Sequence, residues 1–200
     1  MLHFPNISLL QNSNTPAKKN YKMRVIGIDP GTVTCGCAIV EVRTNSPAYI
    51  TAADIRMNKK DSLPERLKVL HNSLNDVFNE YSPSHLCIEK IFYHKSIRAA
   101  FALGSTRGIV MLVAAENGVP VFEYNPTEIK MAITGYGRAE KQQVREMVIR
   151  ILNLKPSQST LSEDSSDALA LCICHINHST GYKMQDTRYK QEVVKAKKPV

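Results

Sequence analysis

Four acidic residues hold positions from which their carboxylates could meet in the folded chain. Asp29 closes an apolar run and is followed at once by a Pro-Gly pair, which turns the chain, and Glu89 closes a second apolar run. Asp164 and Asp167 lie three residues apart at the front of a helical pattern, so they share one helix face. Carboxylates gathered in one cleft repel one another unless cations neutralise them. Four acids in these positions therefore suggest a metal-dependent site.

The elements that must position these acids follow from the hydrophobic pattern. Apolar runs between turn signals predict five strands, at 23–28, 35–42, 49–57, 85–89 and 119–124. Apolar residues at helical spacing predict helices at 63–80, 97–117, 127–134, 139–153 and 162–178. Short connectors between the first three strands favour antiparallel pairing, whereas helices between the later strands favour parallel pairing through right-handed crossovers. The predicted fold class is α/β, with a mixed five-stranded sheet flanked by helices on both faces.

This topology would bring the acids together. If the strand ending at Asp29 lies parallel to the strand ending at Glu89, both carboxylates emerge at the same edge of the sheet, where open α/β sheets place functional groups. A final helix across that edge would add Asp164 and Asp167. Hard oxygen ligands favour Mg²⁺ or Mn²⁺ over zinc. Two such ions can activate water and stabilise the departing oxygen in phosphodiester hydrolysis.

Each acid also has a simpler explanation when it is taken alone. Asp29 before a Pro-Gly pair is more often an ordinary turn residue. Asp164 near a helix start would complement the helix dipole. Glu89 is harder to explain in this way, because a glutamate that ends a buried strand is costly without a partner. The prediction therefore depends on the combination of acids.

Composition limits the class of protein. The 200 residues suffice for one domain with its own core. The formal net charge of +8 lies mostly at the ends, since residues 1–22 carry three lysines and no acid, and residues 183–200 carry six basic against two acidic residues. We expect residues 1–22 to be a disordered or non-native extension, 23–178 to form one domain, and 179–200 to be a basic, flexible tail.

The cysteines and the apolar segments exclude other classes. The five cysteines fit neither a disulfide framework nor a closed zinc site, so we expect them to be buried and reduced. No apolar stretch approaches the roughly 20 residues that span a bilayer, and residues 1–22 lack the pattern of a secretory signal. These features favour a cytoplasmic protein with no membrane contact.

Six segments carry a resemblance to a known family. They are 23–32 (MRVIGIDPGT), 87–92 (CIEKIF), 102–108 (ALGSTRG), 121–124 (VFEY), 139–144 (AEKQQV) and 163–170 (EDSSDALA). In this order and spacing they resemble the RuvC family of Holliday junction resolvases, over about residues 23–178. The resemblance implies a ribonuclease H-like nuclease domain, a homodimer, and Mg²⁺-dependent cleavage of four-way DNA junctions in recombination and repair. It also implies two ions per active site, with Mn²⁺ as a substitute, and a branch-migration helicase complex of RuvA and RuvB as a partner.

The resemblance assigns roles to individual residues. The family's catalytic and metal-binding acids correspond to Asp29, Glu89, Asp164 and Asp167. Lys141 corresponds to a lysine near the scissile phosphate, which makes it a catalytic and a DNA-binding candidate. Lys130 corresponds to a second DNA-contacting lysine, and Phe92 to an aromatic residue that reaches unpaired bases at the junction.

The segment after Glu89 offers further candidates on physical grounds. Tyr93, like Phe92, could stack on bases opened at a junction, and Lys95 and Arg98 could contact phosphates. Packing against the next helix and simple solvent exposure are the competing explanations. Helix 97–117 is apolar on more than one face, which favours it as the dimer surface, with burial inside the subunit as the alternative.

Two other classes compete with a nuclease. The Ile-Gly-Ile-Asp-Pro-Gly-Thr opening is also typical of actin-like ATPases and phosphotransferases, but these need a second, duplicated domain and phosphate loop that 200 residues cannot supply. A non-catalytic junction-binding module is the second alternative. Intact acids argue against it, because a pure binder would gain affinity by losing negative charges that face DNA phosphates.

Overall fold

The structure, a computed structural model, describes residues 23–43, 46–90, 97–155, 158 and 160–180, apart from the side chains of residues 98 and 180. Its strands are β1 (Met23–Asp29), β2 (Thr34–Arg43), β3 (Ser46–Arg56), β4 (His85–Glu89) and β5 (Val121–Tyr124). Its helices are α1 (Leu63–Tyr81), α2 (Ile97–Glu116), α3 (Pro126–Thr134), α4 (Lys141–Ile151) and α5 (Glu163–Thr180). These elements occur in the predicted order. Residues 1–22 and 181–200 lie outside the described residues, so the expectations for both ends stay predictions.

One five-stranded sheet organises the domain, in the order β3-β2-β1-β4-β5. β1 pairs antiparallel with β2, and β2 antiparallel with β3, whereas β4 lies parallel to β1 and β5 parallel to β4. The predicted mixed sheet is confirmed. Ile28 pairs with Ile88 in the β1–β4 ladder. Asp29 and Glu89 are the next residues on the two strands, so both leave the sheet at the same edge.

Alternating side chains on the strands face two separate cores. On β1, Ile26 and Ile28 pack with α1 and α2, whereas Val25 faces the core formed with α3, α4 and α5. Asp29 has the same parity as Val25 and therefore lies on the α5 side. The sheet is covered by helices on both faces, as predicted.

Two glycines let α5 approach the sheet closely. A Cβ at Gly27 would lie 2.1 Å from the carbonyl oxygen of Ala168, and a Cβ at Gly36 would lie 2.1 Å from that of Asp164. Both distances are far below any van der Waals contact, so a larger residue at either position would displace the helix. The absence of a side chain at Gly27 on β1 and at Gly36 on β2 thus sets how close α5 and its acids come to the strand ends.

Two prolines shift strand boundaries from the predicted ones. Pro47 was expected to precede the third strand, but it lies inside β3, where it pairs with Val42. β3 is an edge strand, and a proline is tolerated there because one side of the strand needs no hydrogen-bond partner. At the other edge β5 begins at Val121, not at Val119, because Pro120 has no N–H to donate to the ladder.

Helix α2 is unusually apolar. Among the described residues it alone is long and apolar enough to cross a membrane by length and composition, over Ala99–Glu116, so the prediction that no apolar stretch approaches this length was wrong. A single such helix is weak evidence of a membrane span. One side of α2, with Val110 and Val113, is buried against the sheet, whereas Ile97 and Phe101 are 77% and 75% exposed.

Candidate active site

Three elements converge at the edge where β1 and β4 end. β1 contributes Asp29, β4 contributes Glu89, and the first two turns of α5 contribute Asp164 and Asp167. All four side chains are partly buried, and the charge on each of the other three raises the pKa of Asp29. The structure therefore brings together the four acids that the sequence singled out.

The start of α5 is fixed by a serine cap. The N–H of Ser165 donates to Oγ of Ser162 at 3.0 Å, and the N–H of Ser166 donates to the carbonyl oxygen of Ser162 at 3.1 Å. Serine is among the residues that best satisfy the free N–H groups of a first helical turn. Ser162 therefore precedes the helix instead of belonging to it, and Asp164 lies in the first turn.

Burial and mutual repulsion raise the pKa of Asp29, Glu89 and Asp164. Desolvation, followed by the charges of Asp167, Asp164 and Glu89, raises the pKa of Asp29 from 3.8 to about 7. Desolvation and Asp167 raise the pKa of Glu89, and desolvation is also the largest cause of the raised pKa of Asp164. Near neutral pH this cluster holds more negative charge than it can keep without a cation. Asp29, with a pKa of about 7, therefore retains part of its proton.

Lys141 is a basic residue within reach of the cluster. Its Nζ lies 3.2 Å from Oδ2 of Asp167 and 3.8 Å from Oε2 of Glu163, and the negative charge of Asp167 is the main cause of its raised pKa. Lys141 is the first residue of α4, because Glu140 caps that helix, which was predicted to start at residue 139. The lysine side chain is 70% exposed, so it is free to exchange one anionic partner for another.

Lys130 also lies near the acids. It belongs to α3, and its charge lowers the pKa of Glu89 against the larger effect of desolvation. Both lysines therefore act on Glu89, since Lys141 lowers its pKa as well. Two cations beside a site of four acids suit a polyanionic substrate, which the acids alone would repel.

The side chains of the site are of the type that binds divalent cations, but they are not arranged around a common point. No group of three or more His, Cys, Asp or Glu side chains in the described part of the chain is arranged to hold a metal ion as it stands. Lys141, bound to Asp167, keeps that carboxylate engaged. The acids offer hard oxygen ligands, and Cys35 behind Asp29 stays a thiol because burial raises its pKa well above 9.0. Oxygen ligands without thiolates favour Mg²⁺ or Mn²⁺.

Several predicted DNA contacts cannot be placed. Phe92, Tyr93 and Lys95 fall in the segment 91–96, outside the described residues. Arg98 belongs to the first turn of α2, but its side chain also lies outside the described part. Their roles stay predictions.

The sequence reasoning assigned no role to Arg107. This arginine of α2 is 8% exposed, donates from Nη1 to the carbonyl oxygen of Glu89, and lies with Nη2 2.8 Å from Oε2 of Glu123. It ties α2 to the ends of β4 and β5. In the sequence, the only sign of its importance was a single arginine in a mostly apolar segment. A buried arginine needs partners for its charge, so such a residue is expected to hold other elements.

Asp54 on β3 was also missed. It is 7% exposed and accepts hydrogen bonds from Ser162 and Ser165 at the start of α5. Its charge contributes to the raised pKa of Asp164. The only signal in the sequence was an acid in an otherwise apolar strand.

Comparison with known proteins identifies a family. The family described as "Crossover junction endodeoxyribonuclease RuvC" matches residues 25–175. A crossover junction endodeoxyribonuclease RuvC of Cupriavidus metallidurans is 43% identical over 155 residues, which cover 78% of this chain and 84% of that protein.

Solved structures show the same fold. Thermus thermophilus RuvC in complex with a Holliday junction substrate superposes with a TM-score of 0.74 at 30% sequence identity, covering 80% of this chain and 96% of that one. The yeast mitochondrial Holliday junction resolvase Ydc2 has a TM-score of 0.59 at 12% identity, covering 88% of this chain and 89% of its own, and this likeness concerns the fold alone.

Proposed function

The chain belongs to the RuvC family of crossover junction endodeoxyribonucleases, and we propose that it resolves four-way DNA junctions with divalent cations bound by its four clustered acids. Thermus thermophilus RuvC was solved in complex with a Holliday junction substrate, which supports this substrate for the present chain. The predicted ribonuclease H-like fold agrees with the likeness to RuvC structures. The activity belongs to DNA recombination and repair, because four-way junctions arise there.

One observation carries the catalytic part of the proposal. The pKa of Asp29 is raised to about 7, and three of the causes are the charges of Asp167, Asp164 and Glu89. Carboxylates from one other strand and one helix thus act on Asp29. A protein tolerates such repulsion at a stability cost, and a divalent cation removes it.

The acids and Lys141 have distinct roles in this proposal. Asp29, Glu89, Asp164 and Asp167 would hold the ions, and we propose Mg²⁺, two per site, with Mn²⁺ as a substitute. Bound there, the ions supply an ionised attacking water and stabilise the departing 3′-oxygen. Lys141, which bonds Asp167 at an exposed position, would exchange that carboxylate for the scissile phosphate, where negative charge grows during hydrolysis. Lys130 contacts the DNA backbone nearby.

The exposed face of α2 supports the proposal of a homodimer. Five apolar or small residues at helical spacing line that face, and we call them the α2 stripe: Ile97, Phe101, Gly104, Gly108 and Leu112. A Cβ at either glycine would meet nothing within 4 Å, so a second helix backbone has room to approach. Monomeric proteins rarely expose a continuous apolar patch of this kind.

A two-fold dimer suits a four-way junction. The same stripe on two subunits makes an interface in which each copy presents identical residues, and it fixes the separation of two active sites. A symmetric junction offers two equivalent strands, so paired sites would nick both and leave ends that a ligase can seal. Arg107 adjoins the stripe and bonds the carbonyl oxygen of Glu89, which links the interface helix to a catalytic strand.

The remaining assignments are proposals by analogy. RuvA and RuvB, the branch-migration helicase complex, are the expected partners. A cytoplasmic location agrees with action on chromosomal DNA. The two rival classes, an actin-like ATPase and a non-catalytic junction binder, receive no support from the family match over residues 25–175.

Cleavage of defined DNA substrates tests the proposal. The protein is incubated with a labelled four-way junction, and separately with a linear duplex built from the same arms, in EDTA, Mg²⁺, Mn²⁺ or Ca²⁺. We expect paired nicks in the junction alone, only with Mg²⁺ or Mn²⁺, and products that a ligase seals. Equal cleavage of both substrates would refute junction selectivity, and cleavage in EDTA would refute the metal requirement.

A further inference from the structure

Asp54 is a buried acid that the proposed mechanism does not use. It lies on the edge strand β3 and is 7% exposed. Its Oδ1 accepts hydrogen bonds from Oγ of Ser162 and Oγ of Ser165, each at 2.5 Å, and its Oδ2 lies 3.5 Å from Nη2 of Arg56. A carboxylate removed from water needs such partners, and two hydroxyl donors with one guanidinium supply them.

The two serines bracket a metal-binding acid. Ser162 caps α5 and Ser165 lies in its first turn, and Asp164 lies between them. Because both hydroxyl groups bond the same carboxylate oxygen, neither the cap nor the first turn can rotate about the helix axis without breaking a bond to Asp54. The position of Asp164 is therefore fixed from both sides by β3.

A row of residues across the sheet connects Asp54 with the first acid. Asp54 pairs with Gly36 in the β2–β3 ladder, and Gly36 pairs with Asp29 in the β1–β2 ladder. Over Gly36 lies the backbone of Asp164, since a Cβ there would meet its carbonyl oxygen at 2.1 Å. In this row, Asp54 anchors α5, Gly36 leaves space for the helix backbone, and Asp29 is a metal-binding acid.

We infer that Asp54 is a positioning residue, which ties the first turn of α5 over Gly36 so that Asp164 and Asp167 face Asp29 and Glu89. The inference rests on the proposed function, because it assigns Asp54 to the metal site named there. Residues that orient metal ligands through hydrogen bonds typically contribute about 10-fold to 100-fold in metal affinity or activity. Asp54 itself touches neither metal nor DNA in this assignment.

Two substitutions at Asp54 separate positioning from charge. Asp54→Ala removes the acceptor for both serines, whereas Asp54→Asn keeps an oxygen that accepts both bonds and removes the charge together with the ion pair to Arg56. Mn²⁺ binding is measured by calorimetry on the full chain without DNA, together with junction affinity in EDTA and cleavage over a range of Mn²⁺ concentrations. Asp76→Ala, an exposed acid on α1 across the sheet, is the matched control.

We expect Asp54→Ala to weaken Mn²⁺ binding by about 10-fold to 100-fold. Cleavage should fall in proportion at low Mn²⁺ and recover at high Mn²⁺, with junction affinity in EDTA unchanged. Asp54→Asn should stay close to the wild type. Wild-type Mn²⁺ affinity in Asp54→Ala would overturn the inference, and so would equal losses in the alanine and asparagine variants.

A smaller change guards against a variant that does not fold. Ser165→Ala removes one of the two hydroxyl donors and should weaken Mn²⁺ binding less than Asp54→Ala does, and wild-type affinity in this variant would also contradict the inference. Asp29→Asn distinguishes failure of the proposed metal site from failure of the positioning role of Asp54. If Asp29→Asn binds Mn²⁺ normally, the proposed metal site fails. If it loses binding while Asp54→Ala does not, only the positioning role fails.

Discussion

Asp29 pairs with Gly36 across the β1–β2 ladder, so the first acid of the site stands beside a residue that has no side chain. The backbone of α5 fills the space above Gly36, and the nearest atom to a Cβ there would be the carbonyl oxygen of Asp164. The distance between the strand acids and the helix acids is therefore set by a glycine. A site of four carboxylates depends on this backbone contact as much as on the carboxylates.

Gly36→Ala tests that dependence. The added methyl group would force α5 away from β2, and overpacking of this kind costs about 1–3 kcal/mol of unfolding free energy. We expect lower stability in urea denaturation together with slower junction cleavage. Gly137→Ala is the control, because its Cβ would meet its nearest neighbour at an ordinary 3.4 Å. Wild-type stability and cleavage in Gly36→Ala would show that α5 does not rest on β2 as described.

The raised pKa of Asp29 predicts a pH-dependent stability without metal. Its pKa is about 7 in the folded protein, against an ordinary value of 3.8, so the folded state holds a proton that the unfolded state releases. This contribution favours folding at low pH and is lost as pH rises through 7. Asp29→Asn has no such group. In EDTA, its stability relative to the wild type should therefore increase by about 1 kcal/mol between pH 6 and pH 8.

The comparison with Asp29→Asn at each pH is essential, because His175 acts in the opposite direction. Burial lowers the pKa of His175 from 6.5 to about 4, so it favours the folded state above pH 6.5 and is common to both proteins. Urea denaturation at pH 6, 7 and 8 measures the difference. A difference that does not change with pH would contradict the raised pKa. Saturating Mg²⁺ should stabilise the wild type more at pH 8 than at pH 6.

Lys141→Ala should separate catalysis from binding. Its Nζ lies 3.2 Å from Asp167, close to where the scissile phosphate is expected. Loss of one group that stabilises transition-state charge costs about 10²-fold to 10³-fold in rate. We expect single-turnover cleavage to slow by this order while junction affinity in EDTA changes little, and Lys68→Ala on the exposed face of α1 should alter neither. A loss confined to junction affinity would make Lys141 an ordinary phosphate contact.

Gly108→Arg should separate two subunits without unfolding them. A Cβ at Gly108 meets nothing within 4 Å inside the subunit, so the domain can accept the side chain, but a charged residue in the α2 stripe would have to be buried between two helices. Sedimentation should show a wild-type dimer and a folded Gly108→Arg monomer. Asn79→Arg, on the exposed face of α1, should remain dimeric. A dimeric Gly108→Arg protein would place the interface elsewhere.

Much of the fold followed from local pattern. The short connectors near Asp29 predicted the antiparallel strands, and the helices before and after Glu89 predicted the parallel ones, because crossover rules leave few alternatives. The errors occurred where tertiary context decides. Pro47 lies inside a strand because that strand is at the edge of the sheet, and no local pattern shows where the edge lies.

The site was predictable for the acids but not for the groups that hold them. Asp29 and Glu89 could be recognised because both end apolar runs. Asp54 and Arg107 could not, since their importance comes from partners 108 and 18 residues away in sequence, Ser162 and Glu89. Hydrogen bonds across such separations depend on how elements pack, which spacing along the chain does not encode.

Single-turnover cleavage of a four-way junction by four charge-removing variants tests the central claim most directly. The variants are Asp29→Asn, Glu89→Gln, Asp164→Asn and Asp167→Asn, each at saturating protein and Mg²⁺. We predict that every variant binds the junction in EDTA at least as tightly as the wild type, because a negative charge facing DNA is removed, and cleaves it at least about a hundredfold more slowly. Wild-type cleavage by any one of these variants would contradict the claim that all four acids form the catalytic metal site.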